Sequence, residues 1–353
     1  MAGAGQLGGV WTHFGDMGEG VLESANVRAV VLLFGGAVGL LVAVLGGLGA
    51  MAGASEGSPG RRAVAHWLPI GVMAMVATLL GHSDMGMGVV FGTSVAALSG
   101  VAGLVVMSGT VEVLPTGAGR VWALLPAATI LAFMAGFQGK VGVFEAIVLL
   151  LEGMLVMGVW VGEAEKRGMG ERESGRMGGG WMRWGMMVAV MGVAVVSAWA
   201  ATRGAEELSR RGARYSSGVI AGTLLSVALV MPMVGTGVPL AGEGRAWVAL
   251  TAQVGVVYLN LCVLLPMVIV TAGAAAWVAR HVARDAATTQ SVWGAVIFPR
   301  MAWRIDALGA VILSLVFMAA AGGRVRFDRR LAGGLIFGYF VYLLIVLGAS
   351  ARG

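Results

Sequence analysis

Charge is scarce in this sequence. Of its 353 residues only 12% are Asp, Glu, Lys or Arg, about half of the roughly 25% usual for a globular chain, while 58% are hydrophobic. Polar surface that sparse does not cover a soluble core of this length. A soluble domain is excluded, and the apolar excess equally excludes a disordered chain. A single cysteine, Cys262, rules out an internal disulfide framework and a cysteine metal site; it sits in an apolar run, where packing is its natural role. Lysine is nearly absent, since 22 of the 24 basic residues are arginine. The arginines fall in short stretches between apolar runs, where such charges set membrane orientation. The net charge of +6 therefore does not indicate a nucleic-acid partner. Gly-rich phosphate loops, nucleophile elbows and the His-Glu-x-x-His zinc motif are missing. No Ser–His–Asp set lies inside the apolar runs. An enzyme, a cofactor and a bound metal are all unexpected.

What the chain does have is long apolar runs. Ten stand out, at 29–53, 63–81, 86–109, 121–138, 142–161, 184–202, 217–237, 246–276, 305–321 and 331–349. Most approach the ~20 residues needed to cross the hydrocarbon. Without water to satisfy their backbone such runs must be helices, and they lack the alternating polarity of a membrane barrel. The fold class is an all-α integral membrane protein of about ten transmembrane helices, with the lipid bilayer as its partner. The most hydrophilic stretch, 162–183, is Gly-rich and of mixed charge, which suits a linker. It divides the chain into an N-terminal tail (1–28), a first five-helix repeat (29–161), the linker (162–183) and a second five-helix repeat (184–349). The tail is acidic at Asp16, Glu19 and Glu23 and lacks the basic region of a cleavable signal. Arg61 and Arg62 follow the first run. Both features place the N-terminus outside and the linker in the cytoplasm. A multi-pass protein of the cell's inner (plasma) membrane is the expectation.

Five helices, a linker and five helices suggest duplication. An offset of 163 carries Pro69 onto Pro232 and Gly92 onto Gly255. Around each Pro lies an apolar helix, followed about 18 residues on by a long Gly-containing one. The halves close alike, with Lys140-Val141 before the last run of one and Arg324-Val325 before the last run of the other. An odd number of helices per half makes the two repeats inverted, with a binding site at their interface near the midplane. A mid-helix Pro there either frees backbone carbonyls as cation ligands or is an ordinary kink.

At these residues the chain resembles the sodium/calcium exchanger (calcium:cation antiporter) superfamily. Its two inverted repeats each carry a Gly-Thr-Ser-x-Pro-Glu signature and, about 18 residues later, Gly-Asn-x-x-Gly-Ser-Asn. In half one HSDMGMGVVFGTSVAALSGVAGLV looks like the second signature, with Gly88, Gly92 and Thr93 in phase. In half two SGVIAGTLLSVALVMPMVGTGVP looks like the first, and AWVALTAQVGVVYLNLCVLLP like the second, with Gly255 and Asn260 in phase. GKVGVFEAIVLLLEGM and GGRVRFDRRLAGGLIFGYFVYLL resemble the closing helices, and WRIDALGAVILSLVF the ninth. The resemblance implies a cation antiporter whose path runs between Pro69/Ile70, Thr93/Ser94, Pro232/Met233 and Gln253/Asn260, with Thr236 adjoining.

The departures fall on the chemistry. The resemblance places the two ion-binding glutamates just after the two prolines, where this chain has Ile70 and Met233. Its Thr-Ser pairs become His66-Trp67 and Leu229-Val230. Side-chain oxygen survives only at Thr93, Ser94, Gln253, Asn260 and Thr236. Ca²⁺ takes six to eight oxygens, normally with a carboxylate among them, and an uncompensated divalent charge at mid-bilayer is costly. Ca²⁺ therefore ranks behind a monovalent cation or proton as cargo, and the ion specificity is altered or weakened. The alternative is a degenerate, non-transporting member with a structural or partner-binding role. Glu152, deep in AIVLLLEGML, is a proton-carrier candidate, or else a protonated acid bonded to a neighbouring helix. Asp84 reads as a helix-capping acid, and His66 and His82 as interfacial histidines flanking the second run.

Overall fold

The computed structural model describes residues 27–40, 42, 59–111, 114–138, 140–166, 180–210, 215–282, 296–297 and 300–350. Among them run ten helices, counting helices interrupted only by a π turn as continuous. They are α1 (Val27–Leu40), α2 (Pro59–Leu79), α3 (Ser83–Ser108), α4 (Thr116–Gly136) and α5 (Val143–Lys166). The second half supplies α6 (Gly180–Arg210), α7 (Ser217–Gly242), α8 (246–282), α9 (Arg300–Ala321) and α10 (Arg329–Ser350). Eight are long and apolar enough to cross a membrane, while α1 is shorter over its described residues. Most of the linker, 167–179, and the end of the first apolar run lie outside the described residues.

Helix ends depart from the apolar runs where polar groups find partners. Helix α2 begins at Pro59, a residue suited to a first turn because its missing N–H would be unbonded there anyway. Helix α6 continues past its apolar run to Arg210, because Glu206 gathers Arg203 and Arg210 along the last turns. Two short strands, β1 (Lys140–Val141) and β2 (Val296–Ile297), pair antiparallel and tie the start of α5 to the segment before α9.

The two halves repeat each other in backbone detail. Gly81 and Gly244, again 163 residues apart, both have positive φ, 90° and 74°. Each closes its helix with the same pair of bonds: Gly81 N–H to Thr78 and His82 N–H to Ala77, then Gly244 N–H to Ala241 and Arg245 N–H to Leu240. Glycine is favoured there because a Cβ strains that conformation. The π turns of α3 (Ala97–Val101) and α8 (Asn260–Leu264) stand at the same offset. Helix packing follows suit. Helix α2 packs on α8 and α3 on α7; α5 lies against the α8 π turn and α10 against that of α3. Helix α4 packs on α9, where the hydroxyls of Thr129 and Ser314 bond at 2.8 Å. Gly36 of α1 lies against Ser197 and Ala201 of α6. Exchanging the halves leaves this set of pairings unchanged, as a pseudo-twofold axis requires. Helices α2 and α7 run through Pro69 and Pro232 without interruption.

Burial identifies the centre. The most apolar window of α3 is 89% buried and that of α8 78%, against 28% for α9 and 22% for α10. Helices α3 and α8 form the inner layer; α9 and α10 present Ile312, Phe337 and Leu344 outward, as lipid contact demands.

Candidate functional site

At the crossing of α3 and α8 three polar side chains meet. Asn260 opens the α8 π turn and is fully buried. Its Nδ2 donates to Thr93 Oγ1 at 2.9 Å and to Ser94 Oγ at 3.1 Å. Both hydroxyls are themselves committed to the backbone: Thr93 donates to the Val89 carbonyl at 2.6 Å and Ser94 to that of Val90 at 2.7 Å. Asn260 Oδ1 is left without a protein partner. The cluster is neutral and its donors are spent, so what it offers an ion is oxygen lone pairs.

Gln253, two turns earlier on α8, belongs to a second group about 10 Å along the helix axis. It lines a narrow cavity with Arg62, His66, Met233, Thr236, Gly237, Leu240, Ala249 and Ala252, with room for roughly one water. His66 Nε2 lies 3.1 Å from Thr236 Oγ1. Thr236 Oγ1 also lies 3.2 Å from the Pro232 carbonyl; when its hydroxyl donates to that carbonyl, its oxygen accepts from His66 Nε2–H, and when it donates to Nε2 the ring hydrogen sits on Nδ1. His66 Nδ1 and both amide atoms of Gln253 are buried without a partner.

The sequence-predicted residues thus divide. Thr93, Ser94 and Asn260 come together, and so do Met233, Thr236 and Gln253. Pro69 is buried in α2, Pro232 in α7, and Ile70 is fully enclosed in apolar packing. Glu152 joins neither group. It lies half-buried on α5 with Oε2 unpartnered, and the adjoining Gly153 abuts Cys262 of the α8 π turn. His66 is not an interfacial side chain but a buried one, 5% exposed, because α8 and α7 cover that face of α2. Among the described residues no group of three or more His, Cys, Asp or Glu could hold a metal ion.

One end of the site is sealed. Helices α3 and α7 approach backbone to backbone, with Gly88 and Gly92 set against Gly218 and Gly222. At their shared end Asp84 accepts from Ser217 Oγ at 2.8 Å and from the Gly218 N–H at 3.2 Å. The expected cap is therefore made, but to the neighbouring helix. Nearby, Glu206 binds His82 at 3.3 Å as well as its two arginines.

Sequence reasoning missed this Glu206 hub. It also missed Asp306, buried on α9 and bonded to Tyr342 Oη at 3.0 Å. An acid inside WRIDALGAVILSLVF was a visible signal; its partner, 36 residues away on the next helix, was not.

No protein-family profile matches the chain, and no curated protein matches its sequence. Solved structures share its fold. The crystal structure of the H+/Ca2+ exchanger CAX superposes with a TM-score of 0.66 at 15% identity, covering 94% of this chain and 90% of that one. The sodium-calcium exchanger NCX_Mj soaked with 10 mM Na+ and 10 mM Sr2+ gives 0.57 at 14% identity, covering 91% and 96%. The same exchanger soaked with 2.5 mM Na+ and 10 mM Sr2+ gives 0.55 at 14%, covering 91% and 97%. The chain shares the fold of these two exchangers, an all-α architecture of long apolar helices.

Proposed function

We propose that this chain is a membrane transporter on the exchanger scaffold that carries a monovalent cation or proton through a neutral central site. The observation that carries the reading is the meeting of Thr93, Ser94 and Asn260 at the crossing of the two repeats, with Asn260 Oδ1 unpartnered. A buried amide oxygen without a bond costs about 1–3 kcal/mol, which a transient ion or water would offset. Divalent cargo is disfavoured, because Ca²⁺ calls for six to eight oxygens and carboxylate charge, and the positions after the two prolines are Ile70 and Met233. A second reading, a scaffold that no longer transports and serves a partner, draws on one observation: Ile70 is 0% and Met233 2% exposed.

Flux in proteoliposomes decides between them. The expected result is movement of Na+, K+ or protons with little Ca²⁺, and loss of that flux in Asn260→Ala. Thr93 and Ser94 keep their backbone bonds in that variant, so its stability should fall by only about 1 kcal/mol, the scale of one interhelical hydrogen bond in a membrane protein. Brisk Ca²⁺ flux would overturn the neutral-site account. No flux of any cation would leave the scaffold reading standing.

A further inference from the structure

We propose that the cavity around His66 is a proton-loading site, an inference that rests on the transport reading above and specifies its ion. Three buried polar atoms, His66 Nδ1, Gln253 Nε2 and Gln253 Oε1, have no protein partner, and their side chains line a space for about one water. Buried polar atoms left unpaired are costly, so a ligand from outside the protein belongs there. The hydrogen bonds define what it does. In the tautomer proposed, Thr236 donates to the backbone, so that His66 Nε2 carries the hydrogen and Nδ1 presents the lone pair. A water seated between Nδ1 and the Gln253 amide donates to the ring and bonds to either end of the amide.

Proton transfer balances without any further reactant. A hydronium arriving at the water position gives its proton to Nδ1 and remains as water; the ring then holds both N–H groups and one positive charge. Release reverses the step. A metal ion fits the cavity poorly. Its side-chain oxygens are two, Thr236 Oγ1 and Gln253 Oε1, and a guanidinium shares the lining. The charge facing His66 is Arg62, one turn away on α2, and Glu243 and Arg245 at the α7–α8 turn in turn face Arg62. Helices α7 and α8 present only neutral groups to the cavity.

The site is also one-sided. At the internal offset of 163, His66 corresponds to Leu229, Gln253 to Val90 and Thr236 to Met73, and all three are buried apolar residues. The pseudo-twofold axis thus relates a polar pocket to a greasy one, and the glycine seam of α3 and α7 closes the other end. The cavity lies toward the opposite end, where Arg62 faces the α7–α8 turn, and on the proposal that is the end from which a proton arrives.

The test uses the full chain with ¹⁵N-histidine in nanodiscs, together with proteoliposomes containing pyranine under an imposed proton gradient. His66→Gln identifies the His66 resonance among the four histidines. That resonance is expected to pass from the neutral, Nε2-protonated form to imidazolium on acidification, and proton flux in His66→Gln is expected to fall to the level of empty vesicles. Gln253→Leu, which keeps the histidine but removes the water's second anchor, should slow the flux while the resonance persists. A His66 signal that does not change with pH, or a proton flux equal in wild type and both variants, overturns the site. If Na+ or K+ flux persists in wild type without proton flux, this inference fails and the transport reading stands. If nothing moves, the transport reading fails while the histidine spectrum still decides the site.

Discussion

Glutamate is expected to be accepted at Met233 and rejected at Ile70. The two positions are related by the repeat, and the exchanger resemblance assigns a carboxylate to both, yet their surroundings differ. Met233 lines the cavity that also holds Thr236, Gln253, His66 and Arg62. A glutamate is close to methionine in length, and the unpartnered Gln253 amide nitrogen of the same cavity can donate to its carboxylate. Both side chains belong to the apolar core, but Ile70 is fully buried and does not line the cavity. A carboxyl group there meets hydrocarbon, at a cost of about 3 kcal/mol with lost packing added. Thermal unfolding in detergent checks this. Met233→Glu should unfold within a few degrees of wild type, whereas Ile70→Glu should give little folded protein. Equal losses in both would mean that the cavity offers the carboxylate nothing.

The second large effect is expected at the glycine seam. A Cβ built on Gly88 collides with the backbone of Gly218 and Gly222, and one on Gly92 with the Gly222 carbonyl and Ser226 Oγ. Backbone atoms cannot rotate aside, so α3 and α7 must separate. Overpacking of this kind costs about 1–3 kcal/mol, and separation also strains the Asp84 bonds to Ser217 and Gly218. Gly88→Ala and Gly92→Ala should therefore each lower the unfolding temperature and open the α3–α7 end to water-soluble cysteine reagents placed near it. Gly338, with nothing within 4 Å of its added Cβ, supplies the contrast: Gly338→Ala should stabilise α10 by up to about 1 kcal/mol through helix propensity alone. Similar stability in all three variants would remove the seam from the account.

Much of the architecture was legible before the fold, and the reason is the solvent. In hydrocarbon an apolar run of sufficient length has helix as its only way to satisfy the backbone. The helices accordingly fall on the apolar runs, and the Pro69/Pro232 pair pointed to the offset that Gly81/Gly244 and the two π turns repeat. Boundaries drifted where polar residues extended a helix, as at Glu206 and Arg210 of α6. The site was legible in part. The exchanger resemblance singles out Thr93, Ser94 and Asn260, and they meet. His66, flanking the second run with His82, reads as interfacial from sequence, and residues on one helix do not reveal which face another helix will cover.

Composition and run length alone determined that this chain lives in a bilayer as a helical bundle, since both follow from the cost of an unpaired backbone away from water; the 163-residue spacing of Pro69/Pro232 and Gly92/Gly255 pointed to two similar halves. Only the packing of α2, α3, α7 and α8 decided which polar atoms are bonded and which are not. Asn260 ties the centre together with its amide nitrogen, while Gln253, on the same helix and also buried, faces a small cavity without a protein partner. That distinction depends on contacts between residues more than a hundred positions apart, and no local pattern of apolar and polar residues encodes it.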